Sequence, residues 1–196
     1  MKTDVLIIGA GLTAVAAADE IIRHSDLQVV QLSCGSGASP YIHAFCIPVG
    51  EGDSEELLYK DTMASGYGQC DAGLVQSLCA GSTELESYFE ELGLGLDRDE
   101  NGPRLLQALG SSVPRIASIH NSTGPAMLRA LRDRLKESSR YTSLSGQRAL
   151  ELILENGRVI GAKCYDEEKD HFHNIYAKTV ILATGGFGRM FPESTN

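Results

Sequence analysis

The chain has 196 residues, enough for one good-sized domain with a real core, and carries 42% hydrophobic and 22% charged residues. Its formal net charge of -9 argues against a nucleic-acid groove or an anionic membrane surface. Five cysteines without a CxxC pair suggest neither a disulfide framework nor a zinc knuckle and fit a reduced cytoplasm, and the apolar run in "MKTDVLIIGAG" is too short for a signal or transmembrane segment.

Residues 5–8 are continuously apolar, as a parallel strand buried on both faces requires. A helix follows, carrying Ala14, Ala16, Ala17, Ala18, Ile21 and Ile22 and small on the side facing the sheet, and residues 27–32 return as a second strand. Between strand and helix stands Gly9-Ala10-Gly11-Leu12-Thr13-Ala14, a G-x-G-x-x-A form of the dinucleotide fingerprint. Gly9 permits a tight turn, Gly11 lets backbone approach a pyrophosphate, and Ala14 lets helix and strand pack closely. Amides at the helix N-terminus then answer the diphosphate charge. The alternative is a purely structural glycine turn. An Asp or Glu usually ends the second strand and accepts hydrogen bonds from a ribose; Ser33 stands there, either bonding the ribose without a charge or simply starting a loop.

The segment "SCGSGASPYIHAFCIPVGEGDSEE" is rich in Gly, Ser and Pro and is expected as a long loop of the kind that touches ligand. Its His43 has no nucleophile or acidic partner nearby in sequence, so a surface or core role competes with a catalytic one. Residues 53–92 follow a helical pattern. Asp53 or Ser54 caps a first helix with Leu57, Leu58 and Met63 on one face, and Asp71 caps a second that runs through Leu74, Val75, Leu78, Leu85, Phe89 and Leu92 to Gly93. Glu84, Glu86, Glu90 and Glu91 read as a solvated face rather than converging metal ligands. Arg115 and His120 lie in the next loop and point only weakly to a substrate pocket. A helix from about Thr123 puts Met127, Leu128, Leu131 and Leu135 on one side, with Arg129, Arg132, Arg134 and Lys136 expected to cover its exposed face.

"LELILENGRVIGAKCYD" places Asn156-Gly157 between two alternating apolar strands, as a type I′ hairpin requires. "DEEKDHFHN" is the next turn and "IYAKTVILATGG" the return strand. His171 and His173 share a strand face, but sequence places no third ligand beside them, so no metal site is expected. The sequence singles out no catalytic residue.

With both ends read, the chain resembles the FAD-binding domain of the fumarate reductase, succinate dehydrogenase and L-aspartate oxidase flavoprotein family. The resemblance runs through "VLIIGAGLTAVAAA", "GDSEELLYKDTMASGYGQCDAGLV", "HNSTGPAMLRAL", "NGRVIGAKC" and "AKTVILATGGFGRMFPESTN", in order over nearly the whole chain. It implies an α/β, Rossmann-like FAD-binding domain over residues 1–196, a single domain with a parallel central sheet, inserted helices, a β-hairpin or meander, and the capping domain absent. It also implies that a second glycine turn, Ala183-Thr184-Gly185-Gly186, lies beside the cofactor next to the first, where bare backbone approaches closely.

Carried over by position, Gly9, Gly11, Leu12, Thr13 and Ala14 hold the diphosphate, Ser33 and Cys34 border the adenosine ribose, and Ala149 offers backbone groups to adenine. The loop of Ser39, Ala44, Phe45 and Cys46 approaches the flavin. Relatives tend to have Ala-Gln-Gly-Gly where this chain has "HAFC", which puts bulkier residues near the isoalloxazine. Membrane-complex relatives attach the flavin through a histidine; Ser39 stands at that position, so FAD is expected without a covalent bond. The segment resembling "FPESTN" leads into the capping domain in relatives, so this chain is expected to be either cut at a domain boundary or naturally shortened.

The function implied is hydride transfer between flavin and a small dicarboxylate or amino acid in an intact cytoplasmic parent, with room for an electron-transfer partner subunit and little activity from this chain alone. Two alternatives stay open: a non-catalytic nucleotide-binding or interaction module that has lost FAD affinity, and an NAD-dependent dehydrogenase.

Overall fold

The structure is a computed structural model that describes residues 1–35 and 37–193. The last part of "FPESTN", residues 194–196, therefore lies outside the described residues. In chain order the elements are β1 (Lys2–Ile8), α1 (Leu12–His24), β2 (Val29–Ser33), β3 (Ala44–Cys46), α2 (Glu55–Ser65), α3 (Ala72–Ser82), α4 (Leu85–Glu91), β4 (Arg98–Asp99), β5 (Gly102–Pro103), β6 (Ile116–Ser118), α5 (Thr123–Lys136), β7 (Tyr141–Ser145), β8 (Gln147–Glu155), β9 (Arg158–Asp166) and β10 (His171–Leu182). The chain divides into two compact units, Met1–Pro40 with Leu128–Asn196, and Tyr41–Met127.

The first unit is built on a six-stranded sheet in the order β7-β2-β1-β10-β9-β8. Its first four strands are parallel, and β9 and β8 continue antiparallel. The predicted α/β architecture with a mostly parallel central sheet is therefore present. The apolar run of β1 is bonded on both sides, to β2 and to the second half of β10, and Leu6 and Ile7 are fully buried. Leu6, Ile8, Val30 and Leu32 pack against Ala162, Cys164, Ile175 and Ala177, so the β8-β9-β10 meander and the parallel strands share one apolar cluster. Helix α1 lies on β1 and β2 with Ala14, Val15 and Ala18 buried. The hairpin falls at Asn156 and Gly157, both with positive φ (51° and 77°), as a type I′ turn demands. Strand β7, parallel to β2, is one the sequence does not predict: five residues with an exposed majority carry little periodicity.

In the second unit the predicted caps are in place. Ser54 Oγ accepts from Leu57 N–H and Asp71 Oδ1 from Leu74 N–H. The long second helix is not continuous. Ser82 and Thr83 turn their hydroxyls back onto the carbonyls of Cys79 and Ala80, which ends α3, and Leu74 and Leu78 are left exposed instead of sharing a buried face with Phe89. The expected long loop also contains β3, which pairs antiparallel with β6. Ile47, Phe89, Leu96, Ala117 and Ile119 form the unit's apolar core.

Beside that core sits an ion cluster. The Arg115 side chain is fully buried, with Nη2 at 3.0 Å from Asp53 Oδ1 and 2.9 Å from Asp61 Oδ2. Asp61 also accepts the Ser112 hydroxyl and amide at 2.6 and 2.7 Å; these bonds first, and Arg115 after them, hold its carboxyl below the usual range. Arg115 is thus buried and paired with two acids through Nη2. Among the described residues no helix is long and apolar enough to cross a membrane.

Candidate functional site

The two glycine turns meet. Gly9, with φ 132°, follows β1 and donates its N–H to Leu32 O at 2.8 Å, while Ala183, just past β10, donates to Ile8 O at 2.9 Å. A Cβ on Gly9 would collide with Ala183 O, so only glycine lets the two backbones lie this close. Both turns sit at the carboxyl ends of parallel strands, the place where open α/β sheets bind ligands. On the other side of the second turn there is room: Gly185 has φ 76°, and a Cβ on Gly185 or Gly186 would meet nothing within 4 Å. Thr184 is exposed and Ala183 half-buried. The result is a strip of side-chain-free backbone facing open space, which fits a bulky cofactor.

Gly11 is the N-cap of α1, whose first turn carries no acidic residue to cancel the helix-end charge. Ala14 is fully buried and Thr13 exposed, so the fingerprint's third position packs while its neighbour faces outward. Ser39 Oγ accepts the Leu12 N–H at 2.9 Å and would stand 2.9 Å from a Cβ on Gly11. A hydroxyl that accepts here still has its proton to give, so Ser39 can pass a hydrogen bond onward to a ligand at the turn. The structure thus brings Gly9, Gly11, Leu12, Ser39 and Ala183 into one place.

Beneath the first turn lies a set of side chains that sequence reasoning misses. Buried Gln31 donates Nε2–H to Gly9 O at 2.8 Å and accepts the Tyr141 hydroxyl on Oε1. Arg132 reaches from α5 to donate to Ala10 O at 2.9 Å, and Arg134 pairs with buried Asp19 on α1. The expectation that these two arginines cover a solvent face is corrected: half of the basic stripe turns inward because α1 and its turn offer it acceptors. The available signal was Gln31 itself, one polar residue inside the apolar run "VVQL".

Ser33 closes β2, half-buried and in register with Ser145, and Cys34 follows it as an exposed free thiol. Ala149 lies on β8 opposite Cys164, where the ladder slips between Ala149 and Glu151; a bulge of this kind frees backbone groups from the sheet. Ala44, Phe45 and Cys46 form β3 in the second unit. Phe45 packs edge-on against Phe89 at 4.9 Å between ring centres, so its bulk is committed to that unit's core. The backbone before β3 is clamped by Thr123, whose hydroxyl donates to His43 O at 2.7 Å, and His43 Nδ1 lies 2.9 Å from Asn121 O.

The histidine pair on β10 stacks at 5.2 Å, and burial, then the charge of His171, keeps His173 below its ordinary pKa. Among the described residues no three metal-ligating side chains converge. A cavity of about 740 Å³ opens at the amino end of β1 and beside the middle of β10, lined among others by Lys2, Asp4, Gln28, Tyr176 and Lys178. It is remote from the glycine turns along the strands, and the turns offer the better chemistry for a dinucleotide.

The family described as FAD binding domain matches residues 4–196. The chain belongs to that family. L-aspartate oxidase of Vibrio cholerae serotype O1 is 31% identical over 211 residues, covering 100% of this chain and 39% of its own. Among solved structures, Mycobacterium smegmatis Sdh1 in complex with UQ1 superposes with a TM-score of 0.89 at 25% identity, over 100% of this chain and 36% of that one. The open conformation of a flavocytochrome c3 fumarate reductase gives a TM-score of 0.80 at 28% identity, over 95% and 34%. The resemblance read from the motifs is borne out, and membership implies a flavin cofactor. The chain spans about two fifths of the length of the curated relatives it matches, 39% and 38% for two L-aspartate oxidases.

Proposed function

We propose that this chain is the FAD-binding part of a flavin-dependent oxidoreductase and holds FAD without a covalent bond. The observation that carries the reading is the contact of the two glycine turns, Gly9 against Ala183, at the carboxyl ends of β1 and β10 with open space before Gly185 and Gly186. In this reading Gly9, Gly11, Leu12, Thr13 and Ala14 hold the diphosphate, Ser33 and Cys34 border the ribose, Ala149 meets adenine, and Ala183, Thr184 and Gly185 lie along the cofactor. Ser39 and the strand Ala44, Phe45 and Cys46 belong to the flavin end. Ser39 has no imidazole to form a flavin bond, which supports non-covalent attachment. One family match spanning both units supports treating them as a single FAD-binding domain.

FAD when bound supplies hydride chemistry; the chain's own groups bind and orient it. For the intact parent we propose hydride exchange with a small dicarboxylate or amino acid, as the L-aspartate oxidase and fumarate reductase relatives suggest, and a cytoplasmic home in keeping with cysteines that form no disulfide framework. The Sdh1 neighbour, solved in complex with UQ1, supports an electron-transfer partner for that parent. This chain alone is expected to turn over none of these substrates at enzymatic rates.

The test is direct. Purified protein should be yellow, or become so with FAD, and keep its flavin absorption band through gel filtration; FAD should raise the unfolding temperature and NAD should not. Release of the flavin on acid precipitation would establish the non-covalent bond. A colourless protein that FAD neither colours nor stabilises would favour a module without cofactor, and stabilisation by NAD alone would favour a nicotinamide enzyme.

A further inference from the structure

The carbonyls of Gly9 and Ala10 are both held by side chains. Gln31, 2% exposed, donates to Gly9 O at 2.8 Å, and Arg132 donates to Ala10 O at 2.9 Å. The orientation of the Gln31 amide follows from its partners: a backbone carbonyl only accepts, so Nε2 must face Gly9, and Oε1 then takes the Tyr141 hydroxyl. Among the described residues every peptide is trans, and a trans peptide sends its N–H opposite to its C=O. With the Gly9 carbonyl fixed toward Gln31, the Ala10 N–H points away from Gln31; with the Ala10 carbonyl fixed toward Arg132, the Gly11 N–H points away from Arg132.

A turn rich in glycine has no side chains of its own to settle these peptide planes, and glycine admits orientations closed to other residues. Something outside the turn must choose. We propose that Gln31 and Arg132 are positioning residues that hold the Gly9-Ala10 and Ala10-Gly11 peptides so that two amides face the diphosphate of FAD. The inference rests on the FAD reading above and deepens it. It gives Arg132 a role through the backbone, distinct from a cation placed directly on phosphate.

The experiment compares the 196-residue chain with Arg132→Met and Arg132→Lys. Met keeps the apolar stem and loses the donor; Lys keeps charge and donor. In the FAD-free chain, ¹⁵N relaxation should give order parameters of about 0.85 for the Ala10 and Gly11 amides, falling below about 0.6 in Arg132→Met and recovering in Arg132→Lys, with the order parameters of β1 unchanged as the control for folding. FAD affinity should fall about tenfold in Arg132→Met, because a charge-assisted bond to a half-buried carbonyl is lost. That ratio should be the same at about 0.05 M and 0.5 M salt, since it does not arise from attraction between separated charges.

Unchanged order parameters in Arg132→Met overturn the inference. So does an affinity loss that vanishes at high salt, which would make Arg132 a phosphate cation. If the wild-type chain does not bind FAD at all, the cofactor reading fails, while the relaxation data still decide whether Arg132 fixes the turn.

Discussion

The two units of this chain are held in contrasting ways. In the first, a parallel ladder and extensive apolar packing carry the structure, and under the glycine turn Gln31 and Arg132 take backbone carbonyls. In the second, short elements surround a smaller apolar core, and polar clamps join segments far apart in sequence: buried Arg115 with Asp53 and Asp61, Thr123 with the His43 carbonyl, Asp97 with Ser118 and the His120 amide. A ladder repeats along the chain and tolerates the loss of one link. A clamp that removes charge from water does not, because its remaining partner stays buried without compensation.

The largest effect should therefore come from breaking the second unit's ion cluster. Arg115→Met leaves Asp53 and Asp61 facing one another with no cation, at a cost of about 3–5 kcal/mol. Urea unfolding followed by hydrogen exchange should show the amides of residues 41–127 losing protection while those of β1 and β2 keep theirs; equal loss in both units would erase the contrast between them. A smaller effect is expected from Gly9→Ala in the first unit. Its Cβ would collide with Ala183 O at a φ of 132°, so the turns must part, at a cost on the order of 2–3 kcal/mol and with FAD binding lost. A Gly9→Ala variant with unchanged stability and cofactor affinity would show that the close approach of the turns is dispensable.

The smallest and most local effect lies at the turn between β9 and β10. Asp166, bonded by Gln147 and by the Lys169 and Glu168 amides, has its pKa lowered to about 2 from an ordinary 3.8. A depressed carboxylate stabilises the fold above its unfolded pKa, and that contribution is lost as pH falls from about 4 through about 2. Asp166→Asn removes the titration, so the stability gap between wild type and variant should be largest near neutrality and shrink through that window. A gap independent of pH would assign the turn's stability to its geometry and not to the charge.

Much of the first unit was legible because its signals are local. The apolar strand, the glycine turn, the alanine helix, the Asn-Gly hairpin and the "ATGG" turn are each declared within a few residues, and each formed where its residue types permit little else. The second unit was harder. A continuous helical pattern hid the break at Ser82 and Thr83, and a loop composition hid β3, whose partner β6 lies far along the chain. Arg132 and Arg134 look like any basic stripe until the acceptors at Ala10 and Asp19 are placed beneath them.

The sequence by itself determined the two bare turns, the strands that deliver them and the family to which they belong, since glycine and apolar periodicity restrict backbone conformation without help from distant residues. Only the tertiary structure decided that the turns touch, that Phe45 belongs to a core, and that Gln31, Arg115 and Arg132 meet acceptors far away in sequence. Those outcomes depend on which distant groups share a low-dielectric interior, where an unpaired charge is costly, and no local pattern encodes that meeting.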